Sequence, residues 1–342
     1  MDHGGERRAA LAAVAATAGA GYASGRELVL FFAQLGAMSW LGIVFAAVCY
    51  GLLASALCRC AMRTGGRTPG AFLRRLLGRG TGAAASALHG VLMSLTAAVM
   101  LVSAGETGAL TLPVQHGGAW GMALGLAAAL GLCLAYPEAM PALGLVTAVV
   151  GVGLYAGLAL DPRPVRVYTR AETELALENS AGAAVLLAAM YAALNASVGG
   201  DCLLRFSGSR VDPARVGLWG GGLMALLLAC ANGAILRGGR QLLGQALPAV
   251  ILASRWGIAG FWLCALFSFL CAVGTLAATL GALLRKLEAG GPERAAGVML
   301  LALAAALALT RGMDGAMERA YPAVGWLTAL GVAAVAARLE RQ

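Results

Sequence analysis

Charge is scarce in this chain of 342 residues: only 12% are Asp, Glu, Lys or Arg, and only 6% are aromatic. That scarcity excludes a soluble domain of this length. With 60% hydrophobic residues and a mean hydropathy of +0.80, no polar shell is left to face water. Few aromatics beside 49 glycines point to a polytopic bundle in which small residues bring helix backbones together. The first apolar segment lacks a small-residue cleavage site and is too long for a signal peptide, so it reads as a mature helix. Cys58 and Cys60 have no second pair nearby, which speaks against zinc. The other cysteines (49, 133, 202, 230, 264 and 271) fall mostly within or at the ends of apolar spans and read as buried thiols. No metal-ligand spacing, phosphate loop or nucleophile elbow stands in a convincing context, so no enzyme is expected.

What the chain does have is apolar runs, and two of them are interrupted where a membrane helix should be most regular. The first interruption is Gly19-Ala20-Gly21-Tyr22-Ala23-Ser24-Gly25-Arg26-Glu27, inside about 8–33. The second is Asn195-Ala196-Ser197-Val198-Gly199-Gly200-Asp201, inside about 181–206. A bilayer core of roughly 30 Å and a rise of ~1.5 Å per residue put Gly19 about halfway across. Glycines and polar groups at that depth cost stability unless the helix opens and offers its backbone to a ligand. A pair of such breaks in matching halves points to the binding site of a secondary transporter.

The spacing predicts ten spans: 8–33, 39–62, 83–110, 117–136 and 139–160, then 181–206, 214–236, 258–286, 294–310 and 320–338. A polar linker over 161–180 separates a first repeat, 1–160, from a second, 181–342. Each half opens on an interrupted helix, continues with a regular one, and then has a short amphipathic segment, Thr68–Arg79 or Arg240–Arg255. A long helix and two shorter ones follow. Five spans per half make the repeats inverted. The net charge of +9 raises the question of nucleic acid, but the cations sit in short loops, where they set topology. Sixteen fall on segments assigned inside and eight on segments assigned outside, densest over Arg59–Arg79. That bias places both termini in the cytoplasm.

Each singled-out residue has a functional and a plainer reading. Gly19, Gly21 and Gly25 would free backbone N–H groups and start a second half-helix near Ser24 or Gly25, whose positive end suits a carboxylate. Otherwise Gly21 and Gly25 form a packing face. Tyr22 and Ser24 offer hydroxyls beside Ala20. Arg26 and Glu27 read as an outer gate, with Glu27 also a proton carrier; counted from Ala9, Glu27 is ~27 Å along and equally suits the outer interface. Tyr191, Asn195 and Ser197 supply an aromatic wall, an amide and a hydroxyl, or interhelical glue. Asp201 pairs by default with Arg205, four residues on, with a coupling role as the alternative. In the third span Ser94, Thr96 and Ser103 are small polar groups. His89, the only histidine within a span, is a proton-linked group or a packing residue.

The run from Gly19 to Glu27, followed by Phe31-Phe32, resembles the first-helix signature of the YkvI-type bacterial membrane proteins. Tyr191 to Asn195 resembles the Tyr…Asn motif of that family's sixth helix. The family is in turn similar to the amino-acid–polyamine–organocation superfamily with its five-plus-five LeuT fold. The resemblance implies broken first and sixth helices around a central site that the third and eighth helices complete. It also implies an amino acid or organic amine as substrate, driven by sodium or protons, in a bacterial inner membrane. A sodium site of that kind would draw on Ala18, Gly21, Cys271 and Thr275. Gly274-Thr275 offers one hydroxyl where sodium-coupled relatives carry two, and the fifth span lacks the lysine of proton-coupled ones, so the coupling ion stays open.

The expectation is therefore an all-α integral membrane transporter of a small molecule by alternating access. Its rivals are a ligand-sensing receptor subunit on the same fold, a passive exporter or channel, and, more weakly, a membrane-embedded enzyme built on His89, Glu27 and Asp201. No partner besides lipid and substrate is implied, and the oligomeric state stays open.

Overall fold

The computed structural model describes residues 4–64, 68–135, 139–163, 180–206, 211–243, 248–288 and 291–310. The regular structure among those residues is all helical, with no strand. The first apolar run is divided into α1 (Gly4–Thr17), α2 (Ala20–Ser24) and α3 (Arg26–Phe31). A 3-10 stretch, Ala33–Met38, leads into α4 (Ser39–Thr64). The short α5 (Pro69–Leu77) precedes three longer helices, α6 (Arg79–Thr111), α7 (Gly117–Ala135) and α8 (Ala139–Leu160). Beyond the linker come α9 (Ala181–Phe206) and α10 (Pro213–Arg237). Two short helices, α11 (Arg240–Leu243) and α12 (Pro248–Ala253), lead to α13 (Gly257–Glu288) and α14 (Gly291–Thr310).

Local chemistry sets several of these ends. Thr68 caps α5 by accepting from the Ala71 N–H at 3.3 Å, with Pro69 in the first helical position. Asp212 caps α10 the same way, accepting from Ala214 N–H at 3.0 Å ahead of Pro213.

Among the described residues, seven helical stretches are long and apolar enough to cross a membrane. Their surfaces carry exposed Val44, Val48 and Leu52 on α4, Leu124 and Leu134 on α7, Val149 on α8, and Ile258, Trp262 and Leu266 on α13. So much outward apolar surface belongs in hydrocarbon, and the molecule is a multi-pass helical membrane protein. Three of the ten expected spans are not among these seven. The first span is cut into pieces too short to cross singly. In α14 the stretch Arg294–Ala308 counts among the shorter apolar helices. The tenth, 320–338, lies outside the described residues, as does most of the linker.

The second expected break is not a break. α9 runs uninterrupted for 26 residues through Asn195, Ser197 and Gly199-Gly200. The polar side chains are satisfied without opening the helix: Asn195 Nδ2 donates to Tyr191 O and Ser197 Oγ to Ala193 O, both at 2.9 Å. The glycines serve close approach. A Cβ on Gly199 would stand 3.0 Å from both Thr17 Cγ2 and the Tyr50 hydroxyl, and one on Gly200 would stand 3.3 Å from Leu57.

The helices pack in two groups. α1, α4, α9 and α10 form one; α6, α7, α13 and α14 form the other; α8 lies against α1, α10 and α13. Bare glycine faces permit close contacts. A Cβ on Gly51 of α4 would meet Gly217 O of α10 at 2.8 Å, and one on Gly274 of α13 would meet Ala15 O of α1 at 2.7 Å.

Candidate functional site

The break in the first run is real, and each of its ends has a cause. The α1 ladder ends with Ala18 N–H donating to Val14 O at 2.8 Å. Gly19 is extended, at φ −73° and ψ −178°. α2 then makes little more than one turn. Gly25, at φ 83° and ψ −6°, ends it in the left-handed region before α3 begins. A break leaves carbonyls to satisfy, and Tyr155 of α8 takes two of them, its hydroxyl lying 2.8 Å from Tyr22 O and 2.9 Å from Ala23 O. The Tyr22 hydroxyl donates to Leu227 O of α10 at 3.1 Å. Its ring packs edge-on against Tyr155 and Phe267, with centroids 5.5 and 6.2 Å away. Tyr22 is therefore a strut that ties the broken segment to α8, α10 and α13.

Next to the break lies a narrow cavity with room for about one water molecule. Thr17, Gly19 and Glu27 line it from the broken run. Thr96 and Met100 of α6, Asn195 and Val198 of α9, and Thr275 of α13 close the other sides. Both helix groups and both halves of the chain thus contribute. Glu27 is buried, 5% exposed, and no hydrogen bond or ion pair reaches its carboxylate from the described residues. The Thr275 hydroxyl is buried with no partner, 3.4 Å from where a Gly19 Cβ would stand.

Of the expected site residues, this cavity gathers Gly19, Glu27, Asn195 and Thr275. Ala20 and Gly21 form the start of α2. Ser24 accepts from Arg26 N–H at 3.3 Å and faces a second cavity beside α6, with Ser103, Glu106 and Ser268. Ser94 is buried and donates to Gly90 O at 2.9 Å, within its own helix. Ala18 and Cys271 are buried in the core. Tyr191 packs edge-on against Phe31 and Phe32, with centroids 5.3 and 5.0 Å away, so the two motif segments meet through their rings.

Deeper along α9 and α13 is a charged cluster. Asp201, 2% exposed, pairs with Arg205 at 3.7 Å, as its spacing predicts, and also with Arg285 of α13. His89 Nε2 contacts Ser197 O at 3.3 Å, and Lys286 Nζ donates to Ser86 Oγ at 2.9 Å. At the other end of α13, the chain just past α8 is latched to the α12–α13 turn. Asp161 accepts from the Arg163 N–H at 2.9 Å, Arg163 Nε at 3.0 Å and Trp256 Nε1 at 2.7 Å. Arg255 Nη1 donates to Arg163 O at 2.8 Å, and Arg163 Nη1 to Arg255 O at 2.9 Å.

Thr17, Tyr155 and Arg285 carry no sequence signal for these roles. Their partners are distant in the chain, and each is an ordinary residue of an apolar helix or helix end. Among the described residues no group of three His, Cys, Asp or Glu side chains could hold a metal ion. No protein-family model matches the chain, and no curated protein matches it.

Proposed function

We propose that the chain is a secondary active transporter that moves a small amino acid or organic amine by alternating access, coupled to sodium or protons. The observation that carries this reading is a buried, unpartnered carboxylate, Glu27, in a cavity at the break of the first membrane run. A cavity that holds a carboxylate within the helix bundle, walled by helices from both halves, is the placement expected for a transported solute. The cavity is too small for an organic substrate as it stands, so occupancy requires the two helix groups to part. That suits a cycle of opening to each side in turn.

The packing supports a five-plus-five inverted repeat of LeuT type. The first two elements of each half group together, and so do the third and fourth of each half. Amphipathic pieces, α5 and α11–α12, occupy equivalent places, and α6 and α13 are nearly equal at 33 and 32 residues. The repeats would be 1–160 and 181–342. The two-to-one excess of cations on inner segments supports cytoplasmic termini, and the family resemblance supports a bacterial inner membrane.

The test is reconstitution into liposomes with an imposed sodium or proton gradient and a panel of labelled amino acids and amines. Saturable, gradient-driven uptake is expected. Flux that never saturates and ignores both gradients would mean a channel, and ligand binding without flux would mean a sensor.

A further inference from the structure

The polar groups of the central cavity present mainly lone pairs, and its only free donors are neutral, the Thr275 hydroxyl and the second Nδ2 hydrogen of Asn195. The Thr17 hydroxyl uses its hydrogen on Ala13 O at 2.9 Å, and the Thr96 hydroxyl uses its own on Leu92 O at 2.9 Å. Asn195 donates from Nδ2 to Tyr191 O, which turns Oδ1 away from that carbonyl, and Oδ1 accepts nothing from the described residues. The Gly19 N–H, at the cavity wall, is bonded to Thr17 O at 2.8 Å. Glu27 adds two carboxylate oxygens, and Thr275 a hydroxyl without a partner. No Arg, Lys or His lines the space. The neighbouring Arg26 is half-buried and outside the lining.

Electrostatics then selects the occupant. An ionised carboxylate buried without a partner is costly, and a bound positive charge relieves that cost. A second carboxylate would meet Glu27 as a like charge, with no cationic side chain to offset it. Oxygen ligands grouped around one small void suit a hard monovalent ion or the head of a primary ammonium.

We infer that Glu27, Asn195 and Thr275, backed by the oxygens of Thr17 and Thr96, form a site for a monovalent cationic centre with no cationic side chain to receive a carboxylate. The centre is either an inorganic cation or the ammonium end of the transported solute. In the second case the substrate is an amine rather than an amino acid. The inference rests on the transporter reading for its biological meaning, but its test needs no flux.

The full-length protein is purified in detergent, and its melting temperature is titrated with four probes. These are sodium chloride against choline chloride at equal ionic strength, then n-propylamine, L-alanine and propionate in sodium-free buffer. Native-state ligands raise the melting temperature by mass action. Sodium, propylamine or both are expected to stabilise the protein. Sodium alone identifies the inorganic source, and propylamine the ammonium source. Propionate is expected to do nothing, and alanine to bind at least about tenfold more weakly than propylamine.

In Glu27→Gln, cation binding is expected to weaken about 10- to 100-fold. Thr275→Val, which keeps the side-chain shape, supplies an independent loss of one oxygen ligand should the Gln variant fail to fold. Four results overturn the site: no stabilisation by either cation, stabilisation by propionate, alanine binding as tightly as propylamine, or cation binding unchanged in both variants. Gradient-driven uptake alongside any of these would keep the transporter and discard the site. Cation binding without uptake under any gradient would do the reverse.

Discussion

Replacing Gly25 by Ala should weaken the protein, whereas the same change at Gly153 should not, and the contrast tests the geometry of the break. Gly25 sits at φ 83°, where an L-residue with a Cβ costs roughly 1–2 kcal/mol. The new methyl would also stand 3.1 Å from Ile235 Cδ1, 3.3 Å from the backbone nitrogen of Ala249 and 3.4 Å from Pro248 Cβ. The Ile235 terminus can rotate away; the Ala249 backbone cannot yield without moving α12. The total is about 2 kcal/mol, or about a 30-fold shift in the folding equilibrium. Gly153 lies inside α8 with nothing within 4 Å of its Cβ position, so Ala there should be neutral or stabilise by up to about 1 kcal/mol. Melting temperatures of the two variants, measured side by side in one detergent, read out the difference. If Gly25→Ala is as stable as Gly153→Ala, the chain does not turn through the left-handed region at residue 25, and the separation of α2 from α3 is wrong.

Three further outcomes are expected. Gly19→Ala meets no backbone strain, since its φ is −73°, but its methyl would stand 3.2 Å from Met100 Cε and 3.4 Å from Thr275 Oγ1. The variant should fold with stability within about 0.5 kcal/mol of wild type yet lose the ligand-induced rise in melting temperature. Asp201→Asn leaves Arg285, 17% exposed, without its counter-charge. A loss of about 3 kcal/mol is expected, partly restored by adding Arg285→Met, and additive effects in that double-mutant cycle would refute the pair. Hydrogen bonds from the Arg163 backbone, then from its side chain and from Trp256, hold the Asp161 carboxyl at about 2, below the ordinary ~3.9. The unfolded chain therefore binds the proton first. The stabilisation from this latch is complete above about pH 4 and is lost as the pH falls through about 2. Acid titration of the fluorescence that Trp256→Phe removes should show that window.

The composition made the class legible, because a chain with so little charge has only hydrocarbon to face. The ends of most spans were legible for the same reason: each is bounded by a short polar or glycine-containing turn. The site was legible in part. The glycine run at 19–25 marks a true break, and Asp201 pairs with Arg205 as its four-residue spacing predicts. Arg285, the second partner of Asp201, lies 84 residues away. Tyr155, which accounts for the carbonyls of the break, lies 133 residues from Tyr22. Contacts of that range depend on how helices are placed, which periodicity does not encode.

One misreading has a physical cause: sequence composition does not say whether a glycine marks a bend or a close approach. Gly25 is the first kind and needs positive φ. Gly199 is the second, sitting in a regular helix so that Thr17 and Tyr50 can come near, and the polar residues around it bond back to their own helix. The same ambiguity bears on the plainer reading of Glu27 as an interface residue. Counting ~1.5 Å per residue from Ala9 puts it near the outer interface, but that count holds only while the helix is straight. Gly19 and Gly25 redirect the chain twice within seven residues, and the carboxylate returns to the level of Thr17, Asn195 and Thr275. Glu27 thus lies buried beside oxygens from α1, α9 and α13, and the break is what puts it there.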